Sequence, residues 1–256
     1  MLSISIIAKN ASRTLPACIQ STRGLCDDVV VVVDSSTWDD TVKTASGLGA
    51  RVYVRKFDNF SSQKNFAVSK CRYRWILALD ADETVTPRLA EEIMQVLPGT
   101  RYSAFSIPRI NYIFGRPICH TNWSPETDRH IWLFDKTKAG WSSAVHEQVL
   151  VTGPVGRLKN PKTHLNYQSV EQFIAKMNQY TSLEINSGKR SLTARLIRSH
   201  WLRVFFQPKW KFIRHYFLYL GFLDGWHGLF LSYLMAIYGL TLTVKSWQKQ
   251  TGIYRS

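Results

Sequence analysis

The stretch Trp75-Ile-Leu-Ala-Leu-Asp80-Ala-Asp82-Glu83 decides the fold. An apolar run that ends abruptly in three carboxylates within four residues reads as a buried strand delivering acids to its own end. On an extended backbone side chains two apart point the same way, so Asp80 and Asp82 face one pocket while Ala81 faces away. Paired hard oxygens with an open side suit a divalent cation such as Mg²⁺ or Mn²⁺, which keeps waters and completes its shell with substrate phosphates. The alternative is a polar turn leading into a helix, with Thr84 as N-cap, Pro87 in the first turn and Glu91 and Glu92 solvated.

Upstream of that stretch, strand and helix patterns alternate. Ser3 to Ala8 is a short apolar strand, Leu15 to Leu25 a helix opened by Pro16, and Asp28 to Val33 a valine run typical of a strand buried on both faces. A helix from Thr41 to Leu48, a strand from Arg51 to Val54 and a helix from Ser62 to Lys70 lead back to the acidic strand. Such spacing predicts an α/β fold with a parallel sheet and right-handed crossovers. Ligands collect at the carboxyl ends of strands in such sheets, and those ends carry Ala8-Lys9-Asn10, Asp34-Ser35-Ser36 and Asp80-Ala81-Asp82. Three polar clusters remote in sequence are therefore expected to converge on one crevice, which favours a nucleotide site over solvated loops.

The segments Ser5-Ile-Ile-Ala-Lys9-Asn10, Val33-Asp34-Ser35-Ser36 with Asp39-Asp40-Thr41, Phe60-Ser-Ser-Gln63-Lys64-Asn65 and the acidic strand resemble family 2 glycosyltransferases of the GT-A fold. Within that family the chain is similar to bacterial lipopolysaccharide inner-core β-1,4-glucosyltransferases. Val145-His146-Glu147 and Gly221-Phe-Leu-Asp224-Gly225 extend the likeness over most of the chain, whereas Ser35-Ser36-Thr37-Trp38 departs from the usual Ser-Gly-Ser-Thr. The resemblance implies a nucleotide-sugar donor, a divalent metal and inversion at the anomeric carbon. It places Ala8 and Asn10 at the nucleotide, Asp34 on the base or ribose, Asp80 on the ribose or metal, and Asp82 on the metal. Lys64, near the start of its helix, would meet phosphate charge, or else be a solvated helix residue. Asp34 has an alternative as a cap or turn former.

After residue 101, Tyr102 to Pro108 and His130 to Phe134 read as strands, joined by a loop of the kind that touches substrate. An inverting transferase removes a proton from the acceptor hydroxyl, which a carboxylate within hydrogen-bond reach can do. Glu147 is the first candidate base and Asp128 the second, with His146 at the diphosphate or base. The alternative sets His146 and Glu147 on opposite faces of a strand. His164 resembles the late histidine that closes the metal shell in several GT-A enzymes; a lone histidine is also commonly structural.

Charge divides the chain. Residues 1–156 carry 18 Lys and Arg against 15 Asp and Glu, and residues 157–256 carry 15 against 3, so most of the net +15 lies in the last hundred. Basic residues there interleave with long apolar runs, which favours an anionic membrane surface and argues against nucleic acid. Between Tyr216 and Val244 the only formally charged residue is Asp224, and Gly228 to Val244 carry none, at the lower limit for spanning a bilayer. Two short apolar helices broken at Gly225 and Gly228 are expected, inserted in or lying on a membrane, or packed in a core or dimer interface. The expected division is a GT-A catalytic domain over 1–168 and a helical membrane-associating region over 169–256. Cys18, Cys26, Cys71 and Cys119 lack zinc-site spacing and fit a reducing cytosol, and the first residues show no signal-peptide pattern. The expectation is an enzyme at the cytoplasmic face of the bacterial inner membrane, peripheral or monotopic, moving glucose from UDP-glucose to a lipid-linked oligosaccharide, as a possible homo-oligomer. A polyprenyl-phosphate glycosyltransferase or a non-catalytic nucleotide-binding recruiter would share many of these features.

Overall fold

The computed structural model describes residues 1–142, 147–186 and 200–252. In chain order the first elements are β1 (Leu2–Ala8), α1 (Leu15–Gln20), β2 (Asp28–Asp34), α2 (Thr41–Gly47), β3 (Arg51–Arg55), α3 (Phe60–Lys70) and β4 (Trp75–Asp80). Then come β5 (Glu83–Val85), α4 (Pro87–Val96), β6 (Ala104–Ile113), β7 (Arg116–Pro117), β8 (Arg129–Asp135), β9 (Ala139–Ser142) and β10 (Gln148–Val151). The remainder is β11 (Val155–Arg157), β12 (Lys162–Tyr167), α5 (Val170–Asn186), α6 (His200–Ile213) and α7 (Gly225–Gln250). Two compact units divide the chain, one of Met1–Ile110 with Asp128–Leu165, the other of Asn111–Thr127 with the described residues from Asn166 onward.

In the first unit the sheet runs β3-β2-β1-β4-β8-β6-β12-β5. β1 lies in parallel between β2 and β4, and β2 pairs in parallel with β3, as strands joined by helical crossovers must. Val30 to Val33 are buried because helices cover both faces here, so no polar alternation is needed. The register sets Ala8 opposite Val33 and Ile7 opposite Asp80, so the carboxyl ends of β1, β2 and β4 lie along one edge. The other edge is tied by Asp28, which accepts from Ser3 Oγ at 2.5 Å and from Arg51 at 2.7 Å. Beyond β4 the sheet turns antiparallel through β8 and β6, which completes the mixed sheet of a GT-A fold.

Two local expectations change. Helix α1 closes at Gln20, short of Leu25, where Ser21 and Thr22 hydroxyls donate back to the Cys18 and Ile19 carbonyls and compete with the helical ladder. Thr84 is not an N-cap: Glu83–Val85 pairs with β12, and Thr86 accepts from Leu89 N–H to cap α4, with Pro87 as its first residue.

In the second unit a cluster of Ile113, Ile118, Tyr167, Phe173, Met177 and Leu231 forms the core. Segment 111–127, expected in the catalytic domain, clusters here because Ile113 and Ile118 are buried in that core. Thr121 N–H also donates to the Tyr219 carbonyl at 2.8 Å, and His120 N–H to the Asp224 carboxylate at 2.9 Å. The expected pair of short apolar helices is instead α6, continued by a π-turn over Arg214–Leu218, packed against the 26-residue α7. The chain reverses between Leu220 (φ 56°) and Gly225 (φ 60°). Gly228 lies inside α7, where a Cβ would collide with the Gly221 carbonyl oxygen, so it allows a close approach and is not the break.

Candidate active site

Lys64 is the centre of the polar edge. It sits in the second turn of α3, whose start is capped by Asn59 accepting from Ser62 N–H, and it is 5% exposed. Its Nζ lies 3.4 Å from Asp80 Oδ1 and 3.1 Å from Glu147 Oε1, and 4.5 Å from the centre of the Trp141 ring. Burial works against the ammonium, but Asp80 and Glu147 outweigh it and raise its pKa, so Lys64 stays charged between two carboxylates. The solvated alternative for this lysine does not hold. Glu147, just ahead of β10, keeps about a quarter of its side chain exposed. His146 lies outside the described residues.

Asp34, at the end of β2, accepts from Ser36 N–H and Ser36 Oγ at 3.0 Å and pairs with Lys9 at 3.1 Å. The Ser36 amide, with Lys9 beside it, holds its carboxyl below the usual range. Asp34 is therefore a turn former that remains an anion at the strand end. Ala8 is buried at the end of β1, and Asn10, in the left-handed region at φ 48°, accepts from Trp38 N–H at 3.0 Å. Asn10 thereby ties together the loops after β1 and β2, including the departure at Trp38. Asp39 strengthens the tie by accepting from Ser12 N–H at 3.0 Å.

Asp82 and His164 meet at 3.5 Å, with about a third of the Asp82 side chain open. Asp80 instead faces Lys64. Among the described residues no group of three His, Cys, Asp or Glu is placed to hold a metal ion. One carboxylate and one imidazole fit Mg²⁺ or Mn²⁺ when water and substrate phosphate supply the remaining ligands.

The second candidate base is differently placed. Asp128 receives a two-pronged bond from Arg109 at 2.8 and 3.1 Å and lies 3.1 Å from His130, so its lone pairs are already engaged. The same Arg109 reaches Glu83 Oε1 at 3.0 Å, and Lys162 closes on Glu83 from within the core. Glu83 also accepts from Asp80 N–H at 2.9 Å, which fixes the backbone between the two aspartates. Burial pushes the Glu83 carboxyl up, but Lys162 and Arg109 outweigh it and hold the group ionised. This network escapes a reading by motif; its one signal in the sequence is a lone cation, Arg109, set in the largely apolar β6.

Residues 3–147 match the family model described as Glycosyl transferase family 2. An uncharacterized glycosyltransferase of Rickettsia felis is 31% identical over 252 residues, covering 91% of this chain and 87% of the relative. The lipopolysaccharide core biosynthesis glycosyltransferase LpsC of Rhizobium meliloti is 26% identical over 259 residues, covering 97% and 92%. Among solved structures, glucosyl-3-phosphoglycerate synthase from Mycobacterium tuberculosis, in complex with Mg²⁺ and UDP, aligns with a TM-score of 0.47 at 12% identity, covering 75% and 81%.

Proposed function

We propose that this chain, which belongs to glycosyl transferase family 2, moves glucose from UDP-glucose, with inversion, to the core oligosaccharide of a lipid-linked acceptor at the cytoplasmic face of a bacterial inner membrane. The observation that carries the reading is the buried Lys64 ammonium joining Asp80, at the nucleotide edge of the sheet, to Glu147. Asp80 ends a parallel strand, and the carboxyl ends of such strands are where an α/β sheet binds a nucleotide. Similarity to a relative named for lipopolysaccharide core biosynthesis supports the acceptor class.

In this reading Glu147 takes the proton of the acceptor hydroxyl as the new anomeric C–O bond forms, while the diphosphate leaves from the opposite face of the sugar. Lys64 holds Glu147 in place for that step. Asp34 and Asn10 shape the nucleoside end of the site. Asp82 and His164 are the residues that would hold a divalent cation, whose chemistry is to neutralise charge on the departing diphosphate.

The test is UDP release from a panel of nucleotide sugars, with purified core lipopolysaccharide or polyprenyl phosphate as acceptor. Glu147→Gln should still bind the donor and lose transfer by about 10²–10⁴-fold, the usual worth of general-base assistance. Normal transfer by Glu147→Gln sinks the assignment of the base, and turnover with polyprenyl phosphate alone reassigns the acceptor.

A further inference from the structure

Helix α7 carries an uninterrupted apolar row on its outer face. Trp226, Phe230, Tyr233, Ile237, Leu240 and Val244 follow one another at steps of four and three and are all exposed, and Trp247 closes the row. The residues that face the unit's interior, Gly228, Leu231, Ser232, Gly239, Leu242 and Thr243, fall on the opposite side of the helix at about 100° per residue. On α6, Leu202, Phe206, Trp210 and Ile213 form a second exposed row at steps of four and three. So much contiguous apolar surface on one helical pair calls for a covering partner.

At 26 residues α7 is about 39 Å long, enough to cross a hydrocarbon core of about 30 Å. Its other face is nevertheless committed to polar groups along much of its length. Thr243 Oγ1 donates to the buried Gln207 at 2.6 Å, Tyr238 OH donates to Glu184 at 2.8 Å, and Lys245 Nζ donates to Asn178 and Ser182 on α5. Helix α5 in turn exposes Glu171, Gln172, Asn178 and Gln179. If α7 crossed the bilayer, it would carry these charges and amides into hydrocarbon, where charged side chains are costly. If it lay flat, they would remain on the water side.

We infer that α6 and α7 lie in the plane of an anionic bilayer, with the α7 row at the acyl boundary and α5 toward water, and do not span it. This deepens the membrane association proposed above and is independent of the transfer reaction. Charge selects the occupant. Residues 200–250, which carry both helices, hold six Lys and Arg against Asp224 alone, so a second copy would bring like charge, whereas anionic headgroups are complementary. Lys209 and Arg214 are exposed beside the α6 row, and tryptophans at both ends of the α7 row suit the headgroup level.

The experiment uses the full chain with Cys26→Ser and Cys119→Ser, adding Trp226→Cys, Ile237→Cys or Trp247→Cys one at a time and labelling each with an environment-sensitive fluorophore. Vesicles of phosphatidylcholine, with and without phosphatidylglycerol, carry nitroxides at shallow or deep acyl positions. A flat helix gives the same shallow depth at all three sites and binding that phosphatidylglycerol enhances. A deep Ile237 site between two shallow ends overturns the inference in favour of a span. Absence of quenching together with cross-links between copies overturns it in favour of a subunit interface. Phe230→Asp with Ile237→Asp should weaken vesicle flotation more than tenfold while the helical dichroism is retained; unchanged flotation also overturns it. Neither readout needs sugar transfer, so failure here and failure of the proposed reaction are told apart.

Discussion

Lys64 and Glu147 stand 83 positions apart in sequence and meet at 3.1 Å, with Asp80 on the other side of the same ammonium. One cation thus serves both a residue of the acidic strand end and the candidate base. Because it is buried, its charge is poorly screened from either carboxylate.

Replacing Lys64 by Met keeps the volume and removes the charge. Asp80 and Glu147 then lose the cation that they share. Transfer should fall through kcat, because the candidate base loses the ammonium that holds it in place. Unchanged kcat and kcat/KM would show that Lys64 only fills space.

Asp82→Asn removes the charged member of the Asp82–His164 pair. Transfer should collapse, and the wild type should lose activity in excess chelator and recover it with Mg²⁺ or Mn²⁺. Isothermal titration of Mn²⁺ in the presence of UDP should show weakened binding in Asp82→Asn. Full activity of the wild type in chelator contradicts the metal reading.

Glu83 is a structural anion, closed off from solvent between Lys162 and Arg109. Lys162→Met leaves part of its charge uncompensated and should cost about 3–5 kcal/mol in unfolding free energy, the range for breaking a buried pair. Combining Lys162→Met with Glu83→Leu should restore much of that stability, since an apolar replacement of both partners is commonly neutral. Denaturant unfolding of the single and double variants measures both effects.

The pH dependence of stability follows from the anions held below their ordinary pKa, Glu83 by its flanking cations and Asp34 by the Ser36 amide and Lys9. Below the unfolded-state values, about 4.3 for Glu and 3.9 for Asp, the unfolded chain binds more protons than the folded one. Their contribution is present at neutral pH and is lost as pH falls through the depressed folded values. Melting temperatures should be level from about pH 7 to 5 and decline below about 4.3, with a shallower decline in Glu83→Gln.

Gly228→Ala places a methyl group against the Gly221 carbonyl oxygen, which is backbone and cannot swing away. The approach of α7 to the Gly221–Asp224 turn should open, lowering the thermal stability of the second unit. Gly47→Ala, where a Cβ meets open space, is the control that should leave stability nearly unchanged.

The sequence by itself determined the parallel core of the fold, because hydrophobic periodicity and burial are local statements. The valine run of β2 and the apolar approach to Asp80 have one economical solution in a covered sheet. It also determined which strand ends carry polar groups, and hence that Asp34, Asp80 and Asp82 belong to one edge. Which carboxylate meets which cation was decided only by the tertiary structure, because side-chain pairing across 83 or 79 positions depends on sheet order and loop paths that no local pattern encodes. Asp80 turned to Lys64, Asp128 to Arg109, and Glu83, the third acid of the opening stretch, became the buried anchor beneath the other two. The apolar tail was legible as apolar, but its form was not: a glycine looks the same in sequence whether it breaks a helix or admits a backbone, and only the packing of α7 against Gly221 separates Gly228 from Gly225.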